Sequence, residues 1–87
     1  MAVLIRHRSE GMDLAQYDEV SPPLVEKIKT QPGFIVHVSY VADSGEVVVA
    51  EVWETQEQHD QWLSKYVTPN VPNISQEVIQ LHSVHTA

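Results

Sequence analysis

The sequence contains no cysteine, and only five of its 87 residues are lysine or arginine. Without cysteine the chain has no disulfide, no thiolate nucleophile and no cysteine-type zinc site. The lack of cysteine also agrees with a reducing cytoplasm, where we expect the protein to reside. Because a chain this short buries only about 60–65% of its unfolded surface, pairing of two copies is a natural source of further burial.

Positive charge is scarce, and the formal net charge is -7. Proteins that bind nucleic acids or anionic membranes need clustered basic residues, and this sequence has no such cluster, so we expect neither partner. No apolar run is long enough to span a membrane. The apolar opening at residues 1–5 is too short for a secretion signal, and Arg6 and Arg8 follow it instead of preceding it.

Apolar and β-branched runs predict four strands, at residues 2–8, 34–42, 46–54 and 76–85. A first helix is predicted to begin at Asp13, with Gln16 completing a capping box, and to end before Pro32 and Gly33. Pro22 and Pro23 predict a kink in this helix or a restart at Ser21. The loop at residues 68–73 is rich in proline and asparagine.

A second helix is predicted to begin after Thr55, because Thr55 and Gln58 have capping-box spacing. Its apolar stripe has the period of an amphipathic helix and consists of His59, Trp62, Leu63, Tyr66 and Val67. The βαββαβ order predicts a ferredoxin-like α+β fold, with a four-stranded antiparallel sheet and both helices on one face, as a single domain over residues 1–87. The other sheet face is apolar, so a second copy is the expected cover, giving a dimeric α/β barrel.

The turn Asp43–Gly45 decides which side chains of the central hairpin share a face. A three-residue loop with Gly45 in the left-handed region pairs Ala42 with Glu46. One face is then apolar and consists of Phe34, Val36, Val38, Tyr40, Val48, Ala50 and Val52. The other is mixed and consists of Ile35, His37, Ser39, Val41, Val47, Val49, Glu51 and Trp53.

The mixed face carries the candidate catalytic residues, with His37 as the base and Glu51 as the acid that orients it. The side chains expected to bind a polar aromatic substrate are Trp53, Ser39, Tyr17, His59, Trp62, Tyr66 and His7. His82 or His85 is a further candidate for this face. The alternative interpretation is that His37 and Glu51 form a structural pair only.

Five histidines and Glu51 offer, in principle, a two-histidine, one-carboxylate metal site. No two histidines have the spacing that places them on one helix face, and His82 and His85 point to opposite sides of a strand. The sequence therefore predicts neither a metal nor another cofactor.

Three short segments resemble the antibiotic biosynthesis monooxygenase family of dimeric α/β barrels. They are Pro32–Phe34, the Glu51–Thr55 motif that closes the third strand into a helix, and the following His59 and Trp62. The resemblance implies an oxygenase that works without a cofactor on an aromatic or polyketide-like molecule, with Trp53 lining a pocket. It also leaves open a cyclase or isomerase of the same barrel type, a haem-handling protein, and a non-catalytic binding or structural dimer.

Overall fold

The computed structural model describes residues 2–9, 11–69, 71 and 74–87. Its strands are Val3–Ser9 (β1), Phe34–Val41 (β2), Val47–Trp53 (β3) and Ile74–Gln80 (β4). Its helices are Leu14–Ile28 (α1) and Gln56–Trp62 (α2), and α2 continues into a π-helical turn, Leu63–Val67. Within these described ranges no helix is long and apolar enough to cross a membrane.

The strands form one antiparallel sheet in the order β2-β3-β1-β4. Both helices lie on the same face of the sheet, which confirms the ferredoxin-like α+β fold. The core on that face consists of Val3, Ile5, Ile28, Trp53 and Trp62. We call this the inner face and the opposite one the outer face.

The central hairpin has the predicted three-residue turn. Gly45 has φ +90°, its N–H donates to Ala42 O at 2.8 Å, and Ala42 N–H donates to Glu46 O at 2.8 Å. His37 is therefore opposite Glu51, as predicted. Glycine adopts this backbone conformation without strain, so Gly45 sets the register that sorts the hairpin into two faces.

Phe34 is not on the outer face, and that prediction is wrong. The register of β2 shifts between Phe34 and Val36, so Phe34 is opposite Trp53 while Val36 is opposite Val52. A bulge adds one residue to a strand and reverses the side on which the earlier residues point. As a result Phe34 packs edge-on against Trp53 on the inner face, with ring centroids 5.5 Å apart.

Helix α1 begins with the predicted capping box: Asp13 accepts from Gln16 N–H at 2.9 Å, and Gln16 accepts from Asp13 N–H at 3.0 Å. The helix does not restart at Ser21 but continues through Pro22 and Pro23 to Ile28. Each proline removes one helical hydrogen bond. Both prolines are exposed, so water can satisfy the carbonyl groups that lose their donors.

The family motifs at residues 32–34 and 51–55 pack against each other. Glu54 N–H donates to Gly33 O at 2.8 Å, and Thr55 caps α2 by accepting from Gln58 N–H at 3.2 Å. Gly33 has φ +85°, a left-handed backbone that glycine adopts without strain. The flexible end of the Gln58 side chain lies where a Cβ at this position would be.

Strand β4 begins earlier and ends earlier than predicted, at Ile74–Gln80. It pairs with β1 from Ser9 opposite Ile74 to Val3 opposite Gln80, so β4 stops opposite the first residue of β1. His82 and His85 therefore lie beyond the sheet and are exposed, and the prediction that one of them joins the mixed face is wrong. Glu10, and Asn70, Pro72 and Asn73 of the predicted loop, lie outside the described residues.

The pairing of β1 also assigns faces to the first strand. Val3, Ile5 and His7 point inward and are buried. Leu4, Arg6 and Arg8 point outward, where Arg6 forms an ion pair with Glu77 at 2.6 Å. Several large apolar residues remain exposed on the outer face, namely Val36, Val38, Tyr40 and Ile79.

Candidate functional site

A cavity of about 70 Å³ lies between α1 and the inner face of the sheet. Apolar side chains form most of its wall, and its polar groups come from both helices and three strands. The polar and titratable residues that line it are His7, Ser9, Tyr17, Ser21, His37, Glu51 and Trp62. Concave sites with few convergent polar groups are the usual form of small-molecule sites.

Tyr17, His37 and Glu51 form a hydrogen-bonded chain along one wall of this cavity. His37 Nδ1 lies 3.0 Å from Glu51 Oε2, and His37 Nε2 lies 3.0 Å from the Tyr17 hydroxyl. An ionised carboxylate only accepts, so Nδ1 carries the proton and Nε2 presents its lone pair. Glu51 thereby orients His37 with its basic nitrogen toward Tyr17.

Glu51 is only 3% exposed, yet its surroundings favour the ionised form. Burial alone would raise its pKa, but the hydrogen bond from His37, the nearby His7 imidazole and the hydrogen bond from Trp53 together outweigh burial, so the pKa is lowered. Trp53 Nε1 donates to Glu51 Oε1 at 2.9 Å. Glu51 is therefore a fixed acceptor that holds His37 in one tautomer.

A second hydrogen-bonded chain joins the cavity to the surface. His7 Nε2 lies 2.6 Å from His59 Nε2, and His59 Nδ1 lies 2.9 Å from Asp60 Oδ1. Asp60 can only accept, so the neutral tautomer of His59 carries its proton on Nδ1 and accepts from His7 at Nε2. His59 is fully buried, whereas the Asp60 side chain is 49% exposed.

Burial lowers the pKa of His7 to about 4, an effect that His59 and His37 reinforce and that the nearby carboxylates of Glu51 and Asp60 only partly offset. His7 is therefore neutral at physiological pH. Its neutral ring packs against His59 with centroids 4.8 Å apart.

The structure brings some of the predicted binding residues to the cavity and leaves others away from it. Tyr17, Trp62 and His7 line the cavity. Ser39 is on the inner face but exposed, while Trp53, His59 and Tyr66 are absent from the lining. Trp53 is fully buried among core residues, where its Nε1 donates to Glu51 and its ring packs edge-on against His59.

Trp62 carries an unused hydrogen-bond donor. Its side chain lines the cavity, and its Nε1 is buried with no acceptor in the part of the chain that the structure describes. Buried donors are almost always paired, so this N–H is available to an acceptor atom of a bound molecule or to water.

Two features of the site have no signal in the sequence. The sequence places Tyr17 in the first predicted helix, but nothing in it indicates that the Tyr17 hydroxyl meets His37. Nor does it indicate that Asp60 orients His59, since adjacent residues of a helix point in different directions. The cavity thus contains an oriented base (His37), a phenolic hydroxyl hydrogen-bonded to that base (Tyr17) and a free indole donor (Trp62). These are the groups needed to move a proton within a bound molecule.

Comparison with known proteins extends this description. The sequence pattern of the antibiotic biosynthesis monooxygenase family matches residues 3–66. No curated protein sequence matches the chain significantly.

Solved structures share the fold at low sequence identity. SnoaB, a cofactor-independent oxygenase from Streptomyces nogalater, has a TM-score of 0.68 at 12% identity, covering 95% of this chain and 94% of its own. A monooxygenase from Streptomyces coelicolor in complex with nanaomycin D has a TM-score of 0.64 at 14% identity, with coverages of 99% and 91%. A haem-degrading protein from Mycobacterium tuberculosis has a TM-score of 0.61 at 14% identity, with coverages of 99% and 100%.

Proposed function

Because the chain belongs to the antibiotic biosynthesis monooxygenase family, we propose that it is a cofactor-independent oxygenase of an aromatic or polyketide-like small molecule. The observation that supports this most strongly is the Tyr17–His37–Glu51 chain along the cavity wall. It gives His37 a fixed tautomer and places its basic nitrogen beside the Tyr17 hydroxyl, where both residues line the cavity. Residues 1–87 act as one domain in this proposal.

The first step is transfer of a substrate proton to His37 Nε2, with Glu51 stabilising the imidazolium that forms. The substrate hydroxyl replaces Tyr17 on Nε2, or Tyr17 passes the proton between them. The resulting anion transfers electrons to molecular oxygen. For an anthrone-type CH₂ group the overall change is CH₂ + O₂ → C=O + H₂O, so one oxygen atom enters the product and the other leaves as water.

The size of the cavity indicates how a substrate is admitted. A single aromatic ring occupies a cavity of about 150 Å³, roughly twice the 70 Å³ found here. Of the residues in α1 only Ile28 is buried, so this helix can move outward more easily than α2, which buries His59 and Trp62. A ligand that displaces α1 would meet His37 and the free Trp62 N–H.

Haem handling would instead require one of the two histidines that line the cavity, His7 or His37, to serve as an axial ligand. Under the oxygenase proposal, purified protein should show no Soret shift with added hemin.

Turnover of a panel of hydroxyanthrones and quinols tests the proposal. We expect an absorbance change of the substrate that is accompanied by oxygen consumption. When oxygen is removed, the absorbance change should stop. Turnover that continues without oxygen would instead establish a cyclase or isomerase. Saturable binding without turnover would establish a binding protein, and either result would overturn the oxygenase proposal.

We further propose that the protein is a homodimer joined through the outer faces of two sheets. The exposed Val36, Val38, Tyr40 and Ile79 form an apolar surface on this face. A two-fold contact would also bring the Arg6 and Glu77 side chains of both copies to the interface.

Sedimentation of wild-type protein at micromolar concentration should show twice the chain mass of 9.8 kDa. Val38→Asp should weaken the dimer at least about 30-fold, because a buried unpaired charge costs about 2 kcal/mol or more. Ser39→Asp is the control, since Ser39 is exposed on the same strand but points to the other face. A wild-type species of one chain mass would contradict the dimer.

A further inference from the structure

Three buried side chains from three separate elements converge beside the cavity, which two of them line. They are His7 of β1, Glu51 of β3 and His59 of α2, and one potential ligand atom from each lies within 4.8 Å of the others. We propose that they form a binding site for a first-row divalent transition-metal ion such as Zn²⁺. This inference stands apart from the proposed oxygenase function, because metal binding is measured without turnover.

The distance between the two histidines supports a shared ion. Their Nε2 atoms are 2.6 Å apart and point at each other across one hydrogen bond. Two nitrogens bound to one zinc ion at about 2.0–2.1 Å are separated by about 3.3 Å in a tetrahedral site. A shift of about 0.7 Å would therefore let an ion replace the shared proton, which leaves to solvent as the metal binds.

Groups behind the ligands hold them in place. Asp60 accepts from Nδ1 of His59 at 2.9 Å, which leaves Nε2 as the ligating nitrogen. Trp53 and His37 each hydrogen-bond one oxygen of Glu51. Carboxylate–histidine–metal arrangements of this kind are the usual outer support of bound metals.

Charge favours a cation at this position. Glu51 is 3% exposed, and within the described ranges its only ion pair is with His37, since the arginine and lysine ion pairs involve other acids. A buried carboxylate without a permanent cation is costly, and a divalent ion would supply that charge. Two imidazole ligands favour Zn²⁺, Co²⁺ or Ni²⁺ over Mg²⁺ and Ca²⁺, which prefer oxygen. The open coordination positions would face the cavity, which both His7 and Glu51 line.

Cobalt titration of the whole, tag-free and metal-stripped protein tests the site. We expect the visible absorption of Co²⁺ in a low-coordinate site, saturating at one ion per chain, abolished by Zn²⁺ and unaffected by excess Mg²⁺. No visible absorption, or absorption that Mg²⁺ abolishes equally well, would overturn the proposal.

Matched variants locate the ion. His59→Gln should weaken binding at least about 100-fold, and Asp60→Asn, which keeps the ligand but removes its carboxylate partner, about 10–100-fold. Asp60 is half-exposed, so this variant remains informative if His59→Gln fails to fold. His82→Gln removes an exposed histidine of the chain and should bind as wild type does. Wild-type affinity in Asp60→Asn, or an equal loss in His82→Gln, would show that the ion binds elsewhere.

Discussion

The two faces of the sheet are built from the same strands but distribute polar and apolar groups in opposite ways. The inner face buries His7 and Glu51 beneath two helices. The outer face leaves Val38 and Tyr40 51% and 44% exposed. A chain selected only for stability as a monomer would place these groups the other way round.

The opposite distribution of polar and apolar side chains agrees with a different proposed role for each face. Burying titratable groups on the inner face is costly unless each finds a partner, and the partners are present as two hydrogen-bonded chains. Aliphatic side chains that stay exposed on the outer face contribute no hydrophobic stabilisation unless a second surface covers them. Under the two proposals above, the inner face serves the chemistry and the outer face serves the association of two copies.

The largest effect on stability should come from the core of the inner face. Trp53→Ala should lower the free energy of unfolding by about 3–5 kcal/mol, because Trp53 is fully buried and also bonds Glu51. The matched aromatic substitution on the outer face is Tyr40→Ala. It should lower the free energy of unfolding by only about 1 kcal/mol in dilute, monomeric protein. Equal losses in denaturant unfolding would contradict the difference between the faces.

Acid should weaken the inner face specifically. The pKa of His7 is lowered to about 4 in the folded chain, against 6.5 unfolded, so between these values the unfolded state binds more protons. In metal-free protein, stability should therefore fall by about 3 kcal/mol as pH drops from 6.5 to 4. The lowered pKa of Glu51 acts in the same direction at still lower pH.

Substitution separates the contribution of His7 from that of the ionisable side chains around it, which are His37, His59, Glu51 and Asp60. His7→Gln should flatten the fall in unfolding free energy between pH 6.5 and 4, whereas His82→Gln, on the exposed tail, should not. An unchanged pH dependence in His7→Gln would show that His7 is not the group responsible.

The turn that separates the faces should show a smaller effect than the core substitution or the acid titration. Gly45→Val should cost about 1–2 kcal/mol, from backbone strain alone, because a Cβ at Gly45 would meet no atom within 4 Å. Gly45→Asn should cost less, since asparagine tolerates the left-handed region. If denaturant unfolding showed Asn and Val to be equally costly, backbone strain would not be the cause.

Local signals in the sequence predicted much of the fold. Capping at Asp13 and Thr55 located both helix starts, and the turn at Gly45 placed His37 opposite Glu51. The bulge before Val36 was not predictable, because Phe34 and Ile35 are both apolar and fit either face. The end of β4 was missed because it depends on pairing with β1, which is a tertiary contact.

The site was only partly predictable for a similar reason. Successive residues of a strand point to opposite faces, and both sets of alternate positions in β1 include apolar residues. The sequence therefore does not indicate whether His7 points inward. Its contact with His59 further depends on how α2 docks on the sheet. For these reasons the sequence predicted no metal site, although the structure assembles three candidate ligands.

The most direct test of the inner face as a catalytic surface is the turnover number of His37→Ala. With a substrate that the wild type oxidises, kcat should fall by about 10²–10⁴, the usual consequence of losing a general base. His82→Ala, on the exposed tail, should keep the wild-type value, and the folding of both variants is checked by denaturant unfolding. A wild-type kcat in His37→Ala, or loss of stability without any loss of turnover, would show that the His37–Glu51 pair is structural and contradict the account.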